Sequence, residues 1–186
     1  MPVESISIPS DAARAGLPRI ALILGGARSG KSRFAESLIA QVSVKALYIA
    51  TAERRDPEMI ARIAAHRARR GAAWTTLEEP LELVNCLLGL PPDSPPILVD
   101  CLTLWLSNLM EAERDIGFEI ERLRSALARM KPPVVLVANE VGLGIVPDNA
   151  LARAFRDHAG RLNQSIAAIA ERVVFMAAGL PLTLKG

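Results

Sequence analysis

Residues 20–35 read Ile-Ala-Leu-Ile-Leu-Gly-Gly-Ala-Arg-Ser-Gly-Lys-Ser-Arg-Phe-Ala, and this stretch decides the fold. Ile20–Leu24 is a continuous apolar run, the pattern of a strand covered on both faces. From Ser32 to Gln41 the apolar residues Phe34, Ala35, Leu38 and Ile39 recur at helical spacing. Between strand and helix, Gly25-Gly26-Ala27-Arg28-Ser29-Gly30-Lys31-Ser32 fits G-x-x-x-x-G-K-[ST], a phosphate-binding loop. Glycines let the backbone curl until successive amides point inward, and those amides with the helix N-terminus make an anion cradle. Lys31 adds a point charge for β- and γ-phosphates, and the Ser32 hydroxyl is a ligand for Mg²⁺. A turn that merely started a helix would have no need of Lys31 and Ser32 after Gly30. The stretch therefore predicts nucleoside triphosphate binding.

Outward from the loop, short apolar runs alternate with amphipathic segments. Further strands are predicted at Ala46–Ala50, Thr75–Leu77, Ile97–Asp100, Val134–Ala138 and Val173–Ala177, with a last short one near Leu182–Leu184. Helices are predicted at Pro57–Arg70, Pro80–Leu88 and Pro147–Glu171, and two more within Leu102–Met130, broken near Gly117. Alternation of this kind means an α/β fold with a mostly parallel sheet flanked by helices. Residues 1 to about 18 lack periodicity and read as a mobile extension ahead of a single domain at 19–186. Pro91–Pro96 is a stiff loop and no internal repeat is visible.

Composition sets limits on function. Hydrophobic residues are 51% and charged residues 23% of 186, which excludes general disorder. The net charge is +2, too small for a general nucleic-acid binder. No stretch is long and apolar enough to span a membrane, and the N-terminus lacks the apolar core of a signal peptide. The cysteines, Cys86 and Cys101, lie in apolar surroundings and read as reduced, buried thiols of a cytoplasmic protein.

Four other positions invite chemistry. Asp100 ends the run Pro-Ile-Leu-Val-Asp, where a carboxylate at a strand's carboxyl end reaches Mg²⁺ directly or through water; it equally suits a cap for the helix starting at Leu102. His66 lies among Arg62, Arg67, Arg69 and Arg70 in a helical stretch. Residue spacing alone favours a solvated basic face, with a phosphate-binding face or a phosphorus nucleophile as the sharper alternatives. His158 reads as a surface or half-buried histidine. Glu140, in Asn139-Glu140-Val141-Gly142-Leu143-Gly144-Ile145-Val146-Pro147, lines the crevice at the strand ends either as a ligand or as a loop cap, and the two glycines suggest close backbone approach.

GGARSGKS, LYIAT, EMIARIAAHRARR, ILVDCLTLWLSNLM and VVLVANEVGLGIVPDNALARAFRDHAGRLNQ occur in this order. Together they resemble the bifunctional adenosylcobinamide kinase / adenosylcobinamide-phosphate guanylyltransferase family of cobalamin biosynthesis, over residues 19 to 186. The resemblance implies a RecA-like P-loop NTPase fold and a homotrimer. It implies phosphorylation of the aminopropanol hydroxyl of adenosylcobinamide by ATP or GTP. It also implies transfer of GMP from GTP, through a guanylylated histidine, to adenosylcobinamide-phosphate, giving adenosylcobinamide-GDP. The family's histidine falls on His66, with Lys31 as a second catalytic group. Its nucleotide contacts fall on Gly25, Gly26, Ala27, Arg28, Ser29, Gly30, Lys31 and Ser32. They continue at Ala50, Thr51, Ala52, Arg67, Ala68, Arg69, Arg70, Glu78 and Asp100, with Mg²⁺ on Ser32 and Asp100.

Two departures stand out. Members of the family usually begin near their first strand, and some carry a histidine at the position of Ala65. A monofunctional small-molecule kinase and a GTP-dependent switch are the competing readings, the latter weakened because Val137-Ala138-Asn139-Glu140 does not supply a guanine-reading N-K-x-D. Nucleic-acid binding through the arginines lacks interleaved aromatics.

Overall fold

The computed structural model describes residues 16–53 and 73–186. The apolar runs become strands β1 (Ile20–Gly25), β2 (Ala46–Ala50), β3 (Trp74–Glu78), β4 (Ile97–Asp100), β5 (Val134–Val137), β6 (Arg172–Ala177) and β7 (Leu180–Lys185). Helices among the described residues are α1 (Lys31–Ala40), α2 (Leu83–Leu88), α3 (Leu102–Glu111), α4 (Ile116–Arg129) and α5 (Ala150–Ile169). The strands form one sheet in the order β3-β2-β4-β5-β1-β6-β7. Every neighbouring pair is parallel except β6 and β7.

Strand periodicity divides the core. Ile20, Leu22 and Leu24 face α2–α5, where Trp105, Leu106, Leu123 and Ile166 are fully buried. Ala21 and Ile23 face the opposite side, against Phe34, Leu38 and Ile39 of α1. The central strands therefore need apolar residues at every position, which is why they read as continuous runs. Of the segment 1–18, only 16–18 fall among the described residues, and Leu17 packs against the α1 side of the core. The predicted helix Pro57–Arg70 lies outside the described residues.

The boundaries that moved did so through side-chain caps. The break in Leu102–Met130 falls at residues 112–115, ahead of Gly117, because Asp115 caps α4 by accepting from the Phe118 amide at 3.0 Å. Asn149 Oδ1 accepts from Leu151 and Ala152, so α5 starts at Ala150 instead of Pro147. Glu79 Oε1 takes the amides of Leu81 and Glu82, delaying α2 to Leu83. β7 is longer than expected and tolerates Pro181 because it lies at the sheet edge.

This topology puts the carboxyl ends of β1, β2, β3, β4 and β5 on one edge. β5 separates β1 from β4, and the register sets Ile23, Val137 and Asp100 level with one another.

Candidate nucleotide-binding site

The phosphate-binding loop starts where β1 ends. Gly25 has φ +147°, and a side chain there would collide with the carbonyl of Met176 on β6. Gly30, at φ +96°, is the N-cap of α1 and turns the chain into the helix. Lys31, the first helical residue, is buried, and its ammonium donates to the Gly26 carbonyl at 2.5 Å across the mouth of the loop. Ser32 is half-buried beside it.

Neighbouring elements brace the loop on both sides. The Glu140 amide donates to the Gly25 carbonyl at 3.0 Å, and the Gly179 amide of the β6–β7 turn donates to the Ser29 carbonyl at 3.1 Å. The cradle is thus held at its first residue by the segment after β5 and at its fifth by the segment after β6.

Across β5, Asp100 stands half-buried at the tip of β4 and accepts from the Tyr48 hydroxyl at 2.8 Å. Thr51 ties the strand tips together. Its hydroxyl donates to the Cys101 carbonyl (2.7 Å) and accepts from the Cys101 amide (2.8 Å), while its own amide donates to the Asp100 carbonyl (3.2 Å). Asn108 on α3 donates to the carbonyls of Thr51 and Pro80, each at 2.9 Å. Thr51 is fully buried with its polar groups taken up in this way, so Ala52 is the half-exposed member of Ala50–Ala52. Glu78 ends β3, in register with Ala50, and is exposed.

The structure therefore gathers the loop Gly25–Ser32, Ala50–Ala52, Glu78 and Asp100 along one edge. His66, Arg67, Ala68, Arg69 and Arg70 lie outside the described residues. His158 is half-buried on α5. Glu140 behaves as a loop cap: its Oε1 accepts from the Gly142 amide at 2.6 Å. The close approach that glycine permits at 142 is to this carboxylate, since a Cβ there would sit 2.9 Å from Glu140 Oε1.

Sequence reasoning passed over Tyr48, Thr103 and Asn108. Thr103 Oγ1 accepts from the Asn139 amide at 2.7 Å and so anchors the segment after β5. Tyr48 did carry a signal, because a phenol inside a buried strand needs a partner at its polar end.

Both cysteines are free; Cys101 is buried as expected, whereas Cys86 is only half-buried. Burial, with a smaller push from the Asp100 carboxylate, raises the Cys101 thiol to about 11. Burial also raises Cys86, with a contribution from Glu79. Neither is a reactive thiolate at neutral pH.

Ser32 and Asp100 offer a hydroxyl and a carboxylate, hard oxygen donors of the kind Mg²⁺ takes alongside phosphate oxygens and water. Among the described residues no three His, Cys, Asp or Glu gather, so a dedicated all-protein cage is not built there. No helix among the described residues is long and apolar enough to cross a membrane.

The family described as cobinamide kinase / cobinamide phosphate guanyltransferase matches residues 21–184. The chain is 52% identical over 167 residues to the bifunctional adenosylcobalamin biosynthesis protein CobP of Pseudomonas aeruginosa, covering 89% of this chain and 96% of that protein. It is 44% identical over 180 residues to the bifunctional adenosylcobalamin biosynthesis protein CobU of Salmonella typhimurium, covering 88% and 98%. In fold it is similar to the flagellar accessory protein FlaH of Methanocaldococcus jannaschii, with TM-score 0.57 and 13% identity over 95% of this chain and 83% of that one. The RadB recombinase is a further fold neighbour, with TM-score 0.50 and 13% identity over 87% and 76%. The fold is that of the P-loop NTPases, with a RecA-like arrangement.

Proposed function

Because this chain belongs to the cobinamide kinase / cobinamide phosphate guanyltransferase family, we propose that one nucleotide cradle at the sheet edge serves both reactions, with His66 carrying GMP between substrates. The enzyme is a bifunctional protein of adenosylcobalamin biosynthesis. The observation that carries the reading of the cradle is Lys31 held across a braced loop at the carboxyl end of β1.

In the kinase reaction the acceptor hydroxyl oxygen of adenosylcobinamide bonds to the γ-phosphorus of ATP or GTP. The bond from γ-phosphorus to its bridging oxygen breaks, the nucleoside diphosphate leaves, and the hydroxyl proton passes to solvent. The loop amides and Lys31 hold the phosphates in line and offset the charge on the transferring group. Ser32 and Asp100 would hold Mg²⁺, which when bound neutralises phosphate charge.

In the transferase reaction an imidazole nitrogen of His66 attacks the α-phosphorus of GTP, and pyrophosphate leaves as the α–β bridge breaks. The phosphoramidate then yields to an oxygen of adenosylcobinamide-phosphate. The P–N bond breaks, imidazole is restored, and adenosylcobinamide-GDP forms. Attack requires the neutral imidazole, the form with a free lone pair. Arg67, Arg69 and Arg70 meet the polyphosphate charge, while Ala68, Ala50–Ala52 and Glu78 complete the nucleotide contacts. We take 19–186 as one domain, working as a homotrimer in the cytoplasm.

The test uses GTP labelled at either phosphate. With cobinamide, γ-label should pass to the corrinoid in wild type and in His66→Ala alike. With cobinamide phosphate, α-label transfer should occur only in wild type. Undiminished α-transfer by His66→Ala would remove the proposed role.

A further inference from the structure

We propose that the loop between β5 and α5, residues 141–147, exposed at 142–146, is the surface on which the corrinoid ring of the substrate docks. The inference rests on the family reading, which supplies cobinamide as the substrate.

Position is the first argument. The Glu140 amide donates to the Gly25 carbonyl, so this loop leaves the sheet from the first residue of the phosphate cradle. The acceptor hydroxyl stands at the end of the corrinoid's short aminopropanol arm. When it meets the γ-phosphate, the ring that carries the arm must lie against an element bordering the cradle.

The loop is also a built scaffold. Its entry is fixed by Thr103 on the Asn139 amide and by the Glu140 carboxylate on the Gly142 amide. Its exit is fixed by Arg153, whose guanidinium donates to the carbonyls of Pro147 (2.9 Å) and Asp148 (2.6 Å). These bonds anchor the loop at both ends, and its apolar side chains face outward. Leu143 is 82% exposed, Ile145 97% and Val146 58%. Three large aliphatic groups exposed within four residues make an apolar stretch of the kind that marks a ligand-binding surface.

The chemistry of the patch selects the occupant. Residues 141–147 read Val-Gly-Leu-Gly-Ile-Val-Pro and carry no charge. Gly144 leaves open space where a side chain would stand. A corrin rim of methyl groups and uncharged amides matches such a surface: methyls bury against Leu143, Ile145 and Val146, and amides reach the loop's exposed backbone. A nucleotide or an acidic partner would require cations that the loop lacks.

The experiment measures cobinamide binding by equilibrium dialysis, read by the ligand's visible absorbance. GTP affinity and sedimenting mass are followed in parallel. Ile145→Asp should weaken cobinamide binding about tenfold or more, the scale of one lost aliphatic contact. It should leave GTP affinity and mass unchanged. Ile145→Val should stay within about threefold of wild type. Full cobinamide affinity in Ile145→Asp would overturn the inference alone. So would a fall in mass, which would make the loop a contact between copies of the chain. Failure of wild type to bind cobinamide would overturn the substrate assigned under the proposed function and this inference with it.

Discussion

Tyr48 and Asp100 are 52 residues apart in sequence, yet the Tyr48 hydroxyl donates to Asp100 Oδ2 at 2.8 Å. The parallel pairing of β2 with β4 makes the contact, because Ala50 aligns with Asp100 and Tyr48 sits two residues below. The phenol fixes the rotation of a carboxylate proposed to hold Mg²⁺. Tyr48→Phe should raise the Mg²⁺ needed for half-maximal kinase rate several-fold. It should also lower unfolding free energy by about 1 kcal/mol. A Mg²⁺ titration and a urea melt check both, and an unmoved Mg²⁺ requirement would detach Tyr48 from the metal.

Gly25 tests the cradle's backbone. A methyl group at this position meets the Met176 carbonyl, and φ +147° is unfavourable for any other residue. Gly25→Ala should push β1 from β6 and spoil the amide array, weakening nucleotide binding by about tenfold or more. Calorimetric titration with GTP reads this directly.

Asn108 bridges two carbonyls from separate segments, Thr51 and Pro80, inside the fold. Asn108→Ala leaves the buried Thr51 carbonyl and the partly buried Pro80 carbonyl without this donor. The expected loss is about 2–4 kcal/mol of stability, since each unsatisfied buried group costs about 1–3 kcal/mol. Chemical denaturation measures it.

Cys101 gives a pH signature. Its thiol is raised to about 11 in the fold, from an ordinary 9.0 when unfolded. The folded state therefore keeps the proton better. This contribution is full below pH 9 and is lost as pH rises through 11, a change of about 3 kcal/mol. Cys101→Ala should decline less than wild type between pH 8.5 and 10.5 in paired denaturation curves. At pH 8, Ellman's reagent should label Cys101 only after unfolding.

Much of this architecture was legible because burial on both faces forces continuous apolar strands. Ile97–Asp100 was placed without error, and Val134–Ala138 to within one residue. The phosphate loop was equally plain, because Gly25, Gly30, Lys31 and Ser32 answer local geometric demands that sequence spacing records. The caps were less visible. Asp115, Asn149 and Glu79 act through short-range hydrogen bonds that compete with nearby prolines and glycines as boundary signals. The ties of Tyr48 to Asp100 and of Thr51 to Cys101 depend on which strands become neighbours, and no local pattern encodes that. Glu140 stood equally ready to bind a ligand or to cap its loop, and only the position of the Gly142 amide separates the two.

The central claim is a covalent one, and the mass of the protein after reaction with GTP tests it most directly. Incubation with GTP and Mg²⁺, without corrinoid, should add one GMP to the wild-type chain. Peptide mapping should place it on His66, and adding cobinamide phosphate should discharge it. His66→Ala should show no adduct. An adduct that persists in His66→Ala, or a wild-type enzyme that turns over cobinamide phosphate without ever carrying GMP, would contradict the account.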